Sequence, residues 1–354
     1  MDTTAKIVSV LIVDDSPTMR RHLADMIDAA PGIRVAGEAR DGEDVLQQVE
    51  KLRPDVISMD IRMPGMDGLE ATRHIMNRCP TPVVVVSGLV EREVDLAFQA
   101  LQAGALAVVE KPGNRHAPDF PAKQRQLVNT LIAMSKVHVV RRWDLVGTAA
   151  TPAPPPPRAV PQPDAAEIVA IGASAGGPSA LSMMLHDFPA DYPLPIVITQ
   201  HMPDGFTSGL ARWLDKSTVL PVCVVTDGLK LSPGVVHLAP GGAHLLVTRY
   251  AGGLRTRLIY EQGQHRYCPS INVLFESVAN ACAAAAIGVV MTGMGDDGTA
   301  GLLAIRQTGG TTYAQDESSS TVFGMPGAAI AAGAVDYVLS LSNLATALAR
   351  LKVR

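Results

Sequence analysis

Three widely separated segments carry the residue types of a nucleophilic hydrolase. The first reads EIVAIGASAGGPSAL and places Gly172-Ala173-Ser174-Ala175-Gly176 between an apolar run and a helical pattern. G-x-S-x-G between strand and helix is the layout of a nucleophile elbow, where small neighbours let the backbone turn and present the hydroxyl at the sheet edge. A serine hydroxyl is a weak nucleophile and needs a base. His201 directly follows the apolar run Ile196–Gln200, and histidine is the side chain most often used as such a base. The third segment, VVMTGMGDDGTAGL, ends an apolar run in a Gly-rich turn bearing Asp296 and Asp297. A carboxylate there could orient the imidazole and stabilise its protonated form. The order Ser…His…Asp departs from the acid-before-histidine order of common α/β-hydrolases, so a different sheet must assemble these groups.

A second constellation lies in the first 115 residues. Asp14 and Asp15 follow the run Ile7–Val13, Asp60 follows Val56–Met59, Ser87 closes Val83–Ser87, and Lys111 stands just beyond Ala105–Val109. If these runs are parallel strands, their carboxyl ends share one edge, where open α/β sheets place their sites. Three carboxylates converging there would repel one another unless a hard cation joined them. Mg²⁺ suits oxygen donors and keeps open positions for phosphate ligands. A phosphoryl group passed to Asp60 would then meet the cation, the Lys111 ammonium and the Ser87 hydroxyl.

The elements that must position these residues are legible as two blocks. The N-terminal block alternates β-branched runs (Ile7–Val13, Ile33–Gly37, Val56–Met59, Val83–Ser87, Ala105–Val109) with amphipathic helical patterns. Such runs predict a parallel sheet covered on both faces, and five βα units make a small doubly wound domain of flavodoxin-like kind. The C-terminal block repeats the pattern with runs at Ile168–Ile171, Ile196–Thr199, Ile287–Thr292 and Thr311–Ala314. Shorter runs at Val222–Val225, Val235–Ala239, Leu245–Thr248 and Leu254–Tyr260, separated by Gly/Pro turns, suggest an antiparallel hairpin region beside that sheet. Between the blocks, residues 151–163 read TPAPPPPRAVPQP, which favours extended polyproline II and cannot pack a core. The expected organisation is a switch domain at 1–120, a helix and Pro/Ala-rich linker at 121–164, and a second α/β domain at 165–354.

Bulk properties narrow the function further. The 354 residues carry a formal charge of −4, which offers no footprint for nucleic acid or an anionic membrane. Cys79, Cys223, Cys268 and Cys282 form no C-x-x-C pair and read as scattered thiols. His265 and Cys268 could share a metal only with two further ligands. No signal peptide opens the chain and the stretch Ala281–Met291 is too short to span a bilayer, so a soluble cytoplasmic protein is expected. One rival reading is a dinucleotide site, because Gly293-Met294-Gly295-Asp296-Asp297-Gly298 spells G-x-G-x-x-G and Asp316 lies near the next strand's end. Two carboxylates inside that loop would repel a pyrophosphate at the helix N-terminus. A DNA-binding output is disfavoured, since the C-terminal block is large, sheet-rich and without a basic helix.

The segments VDDSPTMRR, MDIRMPGMDG, VSG and EKP resemble the response-regulator receivers of two-component signalling. IGASAGG, TQHMP, LAPGGAH, YCPSINVLFES, MTGMGDDGTAGL and GMPGAAI, behind that receiver, resemble the chemotaxis protein-glutamate methylesterases (the CheB family) over essentially the whole chain. The first resemblance implies that Asp60 is the phosphoacceptor and that Asp14, Asp15 and Asp60 hold Mg²⁺ with the backbone carbonyl of Arg62. Ser87 and Lys111 would sense the phosphoryl group. The second implies Ser174 as nucleophile, His201 as general base, Asp297 as the orienting acid through the T-G-M-G-x-D-G pattern, and the Met294 N–H as an oxyanion donor.

The implied substrates are methyl-accepting chemoreceptors, whose glutamyl methyl esters would be hydrolysed and some of whose glutamines deamidated, with a chemotaxis histidine kinase as phosphodonor. The hydrolysis itself needs no cofactor, and a monomer without membrane insertion is expected. The resemblance further implies that the receiver covers the active-site edge until Asp60 is phosphorylated. Four positions depart from the pattern. Val108 and Val109 stand where receivers often carry an aromatic before the lysine, Ala175 replaces a frequent Thr, and Cys268 replaces a frequent Arg or Lys. The aromatic relay and those side-chain contacts are therefore not carried over.

Overall fold

The computed structural model describes residues 6–88, 91–118, 120–137, 139, 166–260 and 267–351. The Pro-rich run at 151–163 and His265 lie outside the described residues. Contacts divide the chain into two units, Met1–Ala153 and Pro154–Arg354.

In the first unit the elements alternate strictly: β1 (Val8–Val13), α1 (Pro17–Asp28), β2 (Ile33–Ala39), α2 (Gly42–Leu52), β3 (Val56–Met59), α3 (Gly68–Arg78), β4 (Val83–Ser87), α4 (Glu91–Ala103), β5 (Ala107–Glu110) and α5 (Phe120–Met134). The strands form one sheet in the order β2-β1-β3-β4-β5, and every ladder is parallel. This is the flavodoxin-like order. β3 and β4 are buried at every position, as expected of strands covered on both faces. Ser16, Asp41 and Asp67 start α1, α2 and α3 by accepting the N–H groups of Met19, Asp44 and Glu70, which otherwise lack partners in a first turn. The segment read from sequence as a connecting helix is α5, which packs against β3, β4 and β5 through buried Leu127 and Leu131.

The second unit contains β6 (Ile168–Ala173), α6 (Gly177–His186), β7 (Ile196–Gln200), α7 (Thr207–Asp215), β8 (Val222–Val224), β9 (Val236–Leu238), β10 (His244–Tyr250), β11 (Gly253–Ile259), α8 (Ile271–Cys282), β12 (Ala286–Val290), α9 (Thr299–Gln307), β13 (Thr311–Gln315), α10 (Met325–Ala331), β14 (Tyr337–Leu339) and α11 (Leu341–Ala349). Seven strands form a sheet in the order β14-β13-β12-β6-β7-β9-β8, with parallel ladders throughout.

The expected hairpin region is smaller than the sequence suggested. β8 and β9 extend the main sheet in parallel, and among the described residues β10 and β11 are the only two strands that pair antiparallel. The turn residues between β8 and β9 do not fold the chain directly back. That connection runs out to the hairpin, where Lys230 bridges Arg255, before returning. β10 is docked on α8, whose Ser277 Oγ accepts the Val247 N–H at 2.9 Å. Leu245, Val247 and Leu254 share one apolar cluster with Phe275 and Val278. The edge strand β14 has only three residues, and its Val338 is exposed, so it lacks the apolar run by which the other strands were read.

Candidate active site and acidic pocket

β12, β6 and β7 are neighbours at the centre of the second sheet, and their carboxyl ends lead into the segments that bear Asp297, Ser174 and His201. Ser174 lies between the end of β6 and the start of α6. Its N–H donates to Thr292 O at 3.0 Å, and its carbonyl accepts the Gly177 N–H at 2.8 Å and the Gln200 side-chain amide at 2.8 Å. The α/β-hydrolase elbow places strain on the serine itself. Here the left-handed residue is Gly176, at φ 77°, which adopts that region without steric cost. Among the described residues only Arg53 and Ala283 have positive φ without being glycine. Gly293 lets the β12 end approach Ser174, since a Cβ there would lie 2.7 Å from Ser174 Cβ.

His201 follows β7, and its N–H closes the β6–β7 ladder on Ala173 O at 2.9 Å. Its Nε2 lies 2.7 Å from Asp297 Oδ2. Its Nδ1 is buried and has no hydrogen-bond partner among the described residues. With Nε2 protonated to bind the carboxylate, the free lone pair sits on Nδ1. The Tyr267 ring stacks on the imidazole with centroids 4.4 Å apart and planes 12° from parallel.

Asp297 is held more elaborately than a simple triad requires. Its carboxylate also accepts Ser270 Oγ–H at 3.0 Å, Ile271 N–H at 2.8 Å, Asn272 N–H at 3.0 Å and Gly298 N–H at 3.0 Å. The Ile271 and Asn272 groups open α8, so Asp297 occupies the positive end of that helix. Burial works against its ionisation, but the His201 bond and charge and the Ile271 and Asn272 amides outweigh burial and hold it below the usual carboxylate range. The loop that spells a dinucleotide fingerprint is thus already committed to an internal carboxylate. Asp296 beside it is exposed.

The Met294 N–H donates to no group among the described residues, and the same holds for the Ala175 N–H that follows Ser174. The Ser174 N–H, by contrast, is spent on Thr292. Sequence reasoning did not single out Tyr267, Ser270, Gln200 or Thr292. The first two lie in YCPSIN and Gln200 lies in TQHMP, so the motifs were visible while the contacts were not. Cys268, next to Tyr267, is exposed.

The first sheet gathers the other predicted set. Asp14, Asp15 and Asp60 each offer a carboxylate oxygen, all within 4.8 Å of one another. Asp14 and Asp60 are buried and Asp15 is exposed. Lys111 Nζ lies 2.7 Å from Asp14 Oδ2 and 2.8 Å from Asp60 Oδ2. Burial, with the Asp14 charge adding to it, pushes Asp60 above the usual carboxylate range, and Lys111 and the Arg62 N–H offset this only in part. Burial also disfavours the Lys111 charge, but its bonds to Asp14 and Asp60 hold it above the usual ammonium range. One ammonium therefore serves two buried carboxylates and leaves a surplus negative charge. Three hard oxygen donors with that surplus fit Mg²⁺. Ser87 caps β4, and its carbonyl accepts the Lys111 N–H at 2.7 Å, so hydroxyl and ammonium residues are backbone neighbours. The Arg62 N–H faces Asp60 Oδ1 at 3.5 Å, and its guanidinium pairs with Glu93 at 3.3 Å.

A receiver-type sheet with an acidic pocket, on the same chain as a parallel-sheet domain with a Ser/His/Asp edge, defines a response regulator with an enzymatic output. Comparison with known proteins agrees. The family described as CheB methylesterase matches residues 169–348, and the response regulator receiver domain matches residues 10–117. Protein-glutamate methylesterase/protein-glutamine glutaminase 4 of Myxococcus xanthus is 45% identical over 96% of this chain and 95% of its own length. The corresponding protein 1 of Syntrophus aciditrophicus is 42% identical over 97% and 98%. The catalytic domain of Thermotoga maritima CheB methylesterase superposes with a TM-score of 0.51 and 37% identity, covering 52% of this chain and 98% of that domain. The chain belongs to the CheB protein-glutamate methylesterase family. Among the described residues no helix is long and apolar enough to cross a membrane.

Proposed function

We propose that the protein hydrolyses glutamyl γ-methyl esters on methyl-accepting chemoreceptors, and deamidates receptor glutamines by the same path. In this reading it works in the cytoplasm as a monomer and is switched on by phosphorylation of Asp60 from a chemotaxis histidine kinase. The observation that carries the esterase reading is the 2.7 Å contact between His201 and Asp297 at the strand ends that flank Ser174.

In the proposed mechanism, Asp297 holds His201 through Nε2–H, so Nδ1 is the base. The Ser174 Oγ–H proton passes to Nδ1 as Oγ attacks the ester carbonyl. The resulting oxyanion is stabilised by the Met294 N–H and by an N–H beside Ser174, with Ala175 the available donor. Each such donor contributes about 3 kcal/mol. Collapse of the intermediate breaks the C–OCH₃ bond, and His201 returns its proton to the leaving methoxide, releasing methanol. Water then repeats the sequence on the glutamyl-serine ester, giving the free glutamate and restoring Ser174. A glutamine enters the same path with ammonia as the leaving group.

In the receiver, Asp14, Asp15, Asp60 and the Arg62 carbonyl would hold Mg²⁺, which neutralises charge on the incoming phosphoryl group. Lys111 pairs with that group once Asp60 is modified, and the Ser87 hydroxyl hydrogen-bonds it. The added charge of about −1.5 to −2 changes the pocket enough to bias a two-state receiver. The test is methanol release from methylated receptor membranes, with and without acetyl phosphate. Ser174→Ala is expected to abolish release while phosphorylation of Asp60 persists. Near-native release by Ser174→Ala would sink the mechanism.

A further inference from the structure

We propose that Gln200 is a positioning residue that fixes the peptide of the nucleophile against the peptide of the base; this rests on the assignment of Ser174 and His201 above. β6 and β7 pair through Ala173 and Gln200, and the His201 N–H to Ala173 O is the last ladder bond. Beyond it the two chains part, Ser174 turning into α6 and His201 leaving toward Pro203. The side-chain amide of Gln200 spans this gap. Its Nε2 donates one hydrogen to Ser174 O at 2.8 Å and the other to His201 O at 3.0 Å. One planar group with two fixed donors thereby sets the distance between the two reacting residues.

Three further observations support a role beyond packing. The Oε1 of Gln200 is buried without a partner among the described residues, and a buried acceptor left unsatisfied is a cost that Leu or Met would not incur. Orientation is unambiguous, because exchanging Oε1 and Nε2 would set an oxygen against two carbonyl oxygens. Finally, a Cβ at Gly177 would lie 2.0 Å from Oε1, so the second glycine of the Ala175-Gly176-Gly177 turn clears the space that the amide occupies. On the opposite flank, Thr292 holds the same turn, accepting the Ser174 N–H on its carbonyl and donating Oγ1–H to Ala175 O at 2.8 Å. Thr292 anchors the nucleophile alone; Gln200 ties it directly to the base.

The test uses the full-length protein with Gln200→Leu and, as a second shape-retaining variant, Gln200→Met. Three readouts are taken: phosphonylation of Ser174 by a fluorophosphonate, kcat and KM for methanol release from methylated receptor membranes, and the thermal midpoint. Misplacing reacting groups by about an ångström costs on the order of 10²-fold. Both variants should lose kcat and phosphonylation rate together on that scale, with KM unchanged and a midpoint near native. Native rates in either variant, or losses in both that track the fall in thermal midpoint, would overturn the proposal. Ser174→Ala run in parallel separates the two claims. If it is inactive while Gln200→Leu is fully active, only the positioning role fails; if it retains activity, the triad assignment itself fails.

Discussion

Asp297 and His201 are joined by a 2.7 Å contact whose acceptor oxygen also receives the Ile271 N–H at 2.8 Å. The anion that binds the imidazole is the same anion that caps α8, so the geometry of the proposed active site and helix stability are coupled through one carboxylate. Asp297→Asn keeps the shape but presents only one acceptor oxygen and can favour the wrong imidazole tautomer. We expect kcat for methanol release to fall by about 10⁴-fold, by analogy with the loss of the acid in a serine-protease triad. Loss of a helix cap should also lower stability by roughly 1 kcal/mol. Steady-state kinetics and thermal denaturation of the same preparation check both.

Gly293→Ala should damage activity far more than stability. The new methyl would fall 2.7 Å from Ser174 Cβ and 2.3 Å from Met325 Sδ. The methionine can move, whereas the nucleophile turn is pinned by Thr292 and Gly177. The expected result is a loss of at least about 10²-fold in Ser174 phosphonylation with the receiver still accepting phosphate from acetyl phosphate.

Asp60→Asn should stabilise the receiver in the absence of divalent cation. Burial raises the proton affinity of Asp60, so its contribution to stability is present below the ordinary carboxylate range and lost as pH rises through the folded value. At neutral pH its charge is a net burden that asparagine removes. Mg²⁺ should raise the thermal midpoint of the natural protein more than that of Asp60→Asn. Equal shifts would argue against a cation shared by these carboxylates.

His237 predicts an acid-sensitive second domain. Burial lowers its proton affinity despite a backbone contact to Ile196 O at 3.1 Å. Its Nε2 accepts the Ser232 N–H at 3.4 Å, which a protonated ring could not do. A depressed histidine leaves the unfolded chain binding more protons, so stability should fall as pH drops below the ordinary value of 6.5. His237→Gln, which can still donate and accept, should flatten that dependence in urea unfolding measured from pH 7 to pH 5.

Much of both sites was legible because their residues sit at the ends of continuous β-branched runs. β3 and β4 have the bounds that the runs Val56–Met59 and Val83–Ser87 suggest, and Asp60, Ser87, His201 and Ser174 fall just at or beyond strand ends. The two-sheet fold class follows from the same pattern. What escaped had no periodic signature. β8 and β9 are three residues each, too short for their direction to be read, and turn residues around them mimic a hairpin. Tyr267 and Gln200 act through a stacking contact and a side-chain bridge between strands that are distant in sequence, and spacing encodes neither.

The order β12-β6-β7 in space against β6, β7, β12 along the chain has a consequence for biosynthesis. A ribosome that has released residues up to about 285 has delivered Ser174 and His201 but not Asp297, and β6 is still an edge strand of the sheet. The last fifth of the polypeptide must add its strand beside β6 before any ester can be cut. Hydrolytic competence therefore arrives late, and a prematurely terminated chain would be silent rather than unregulated.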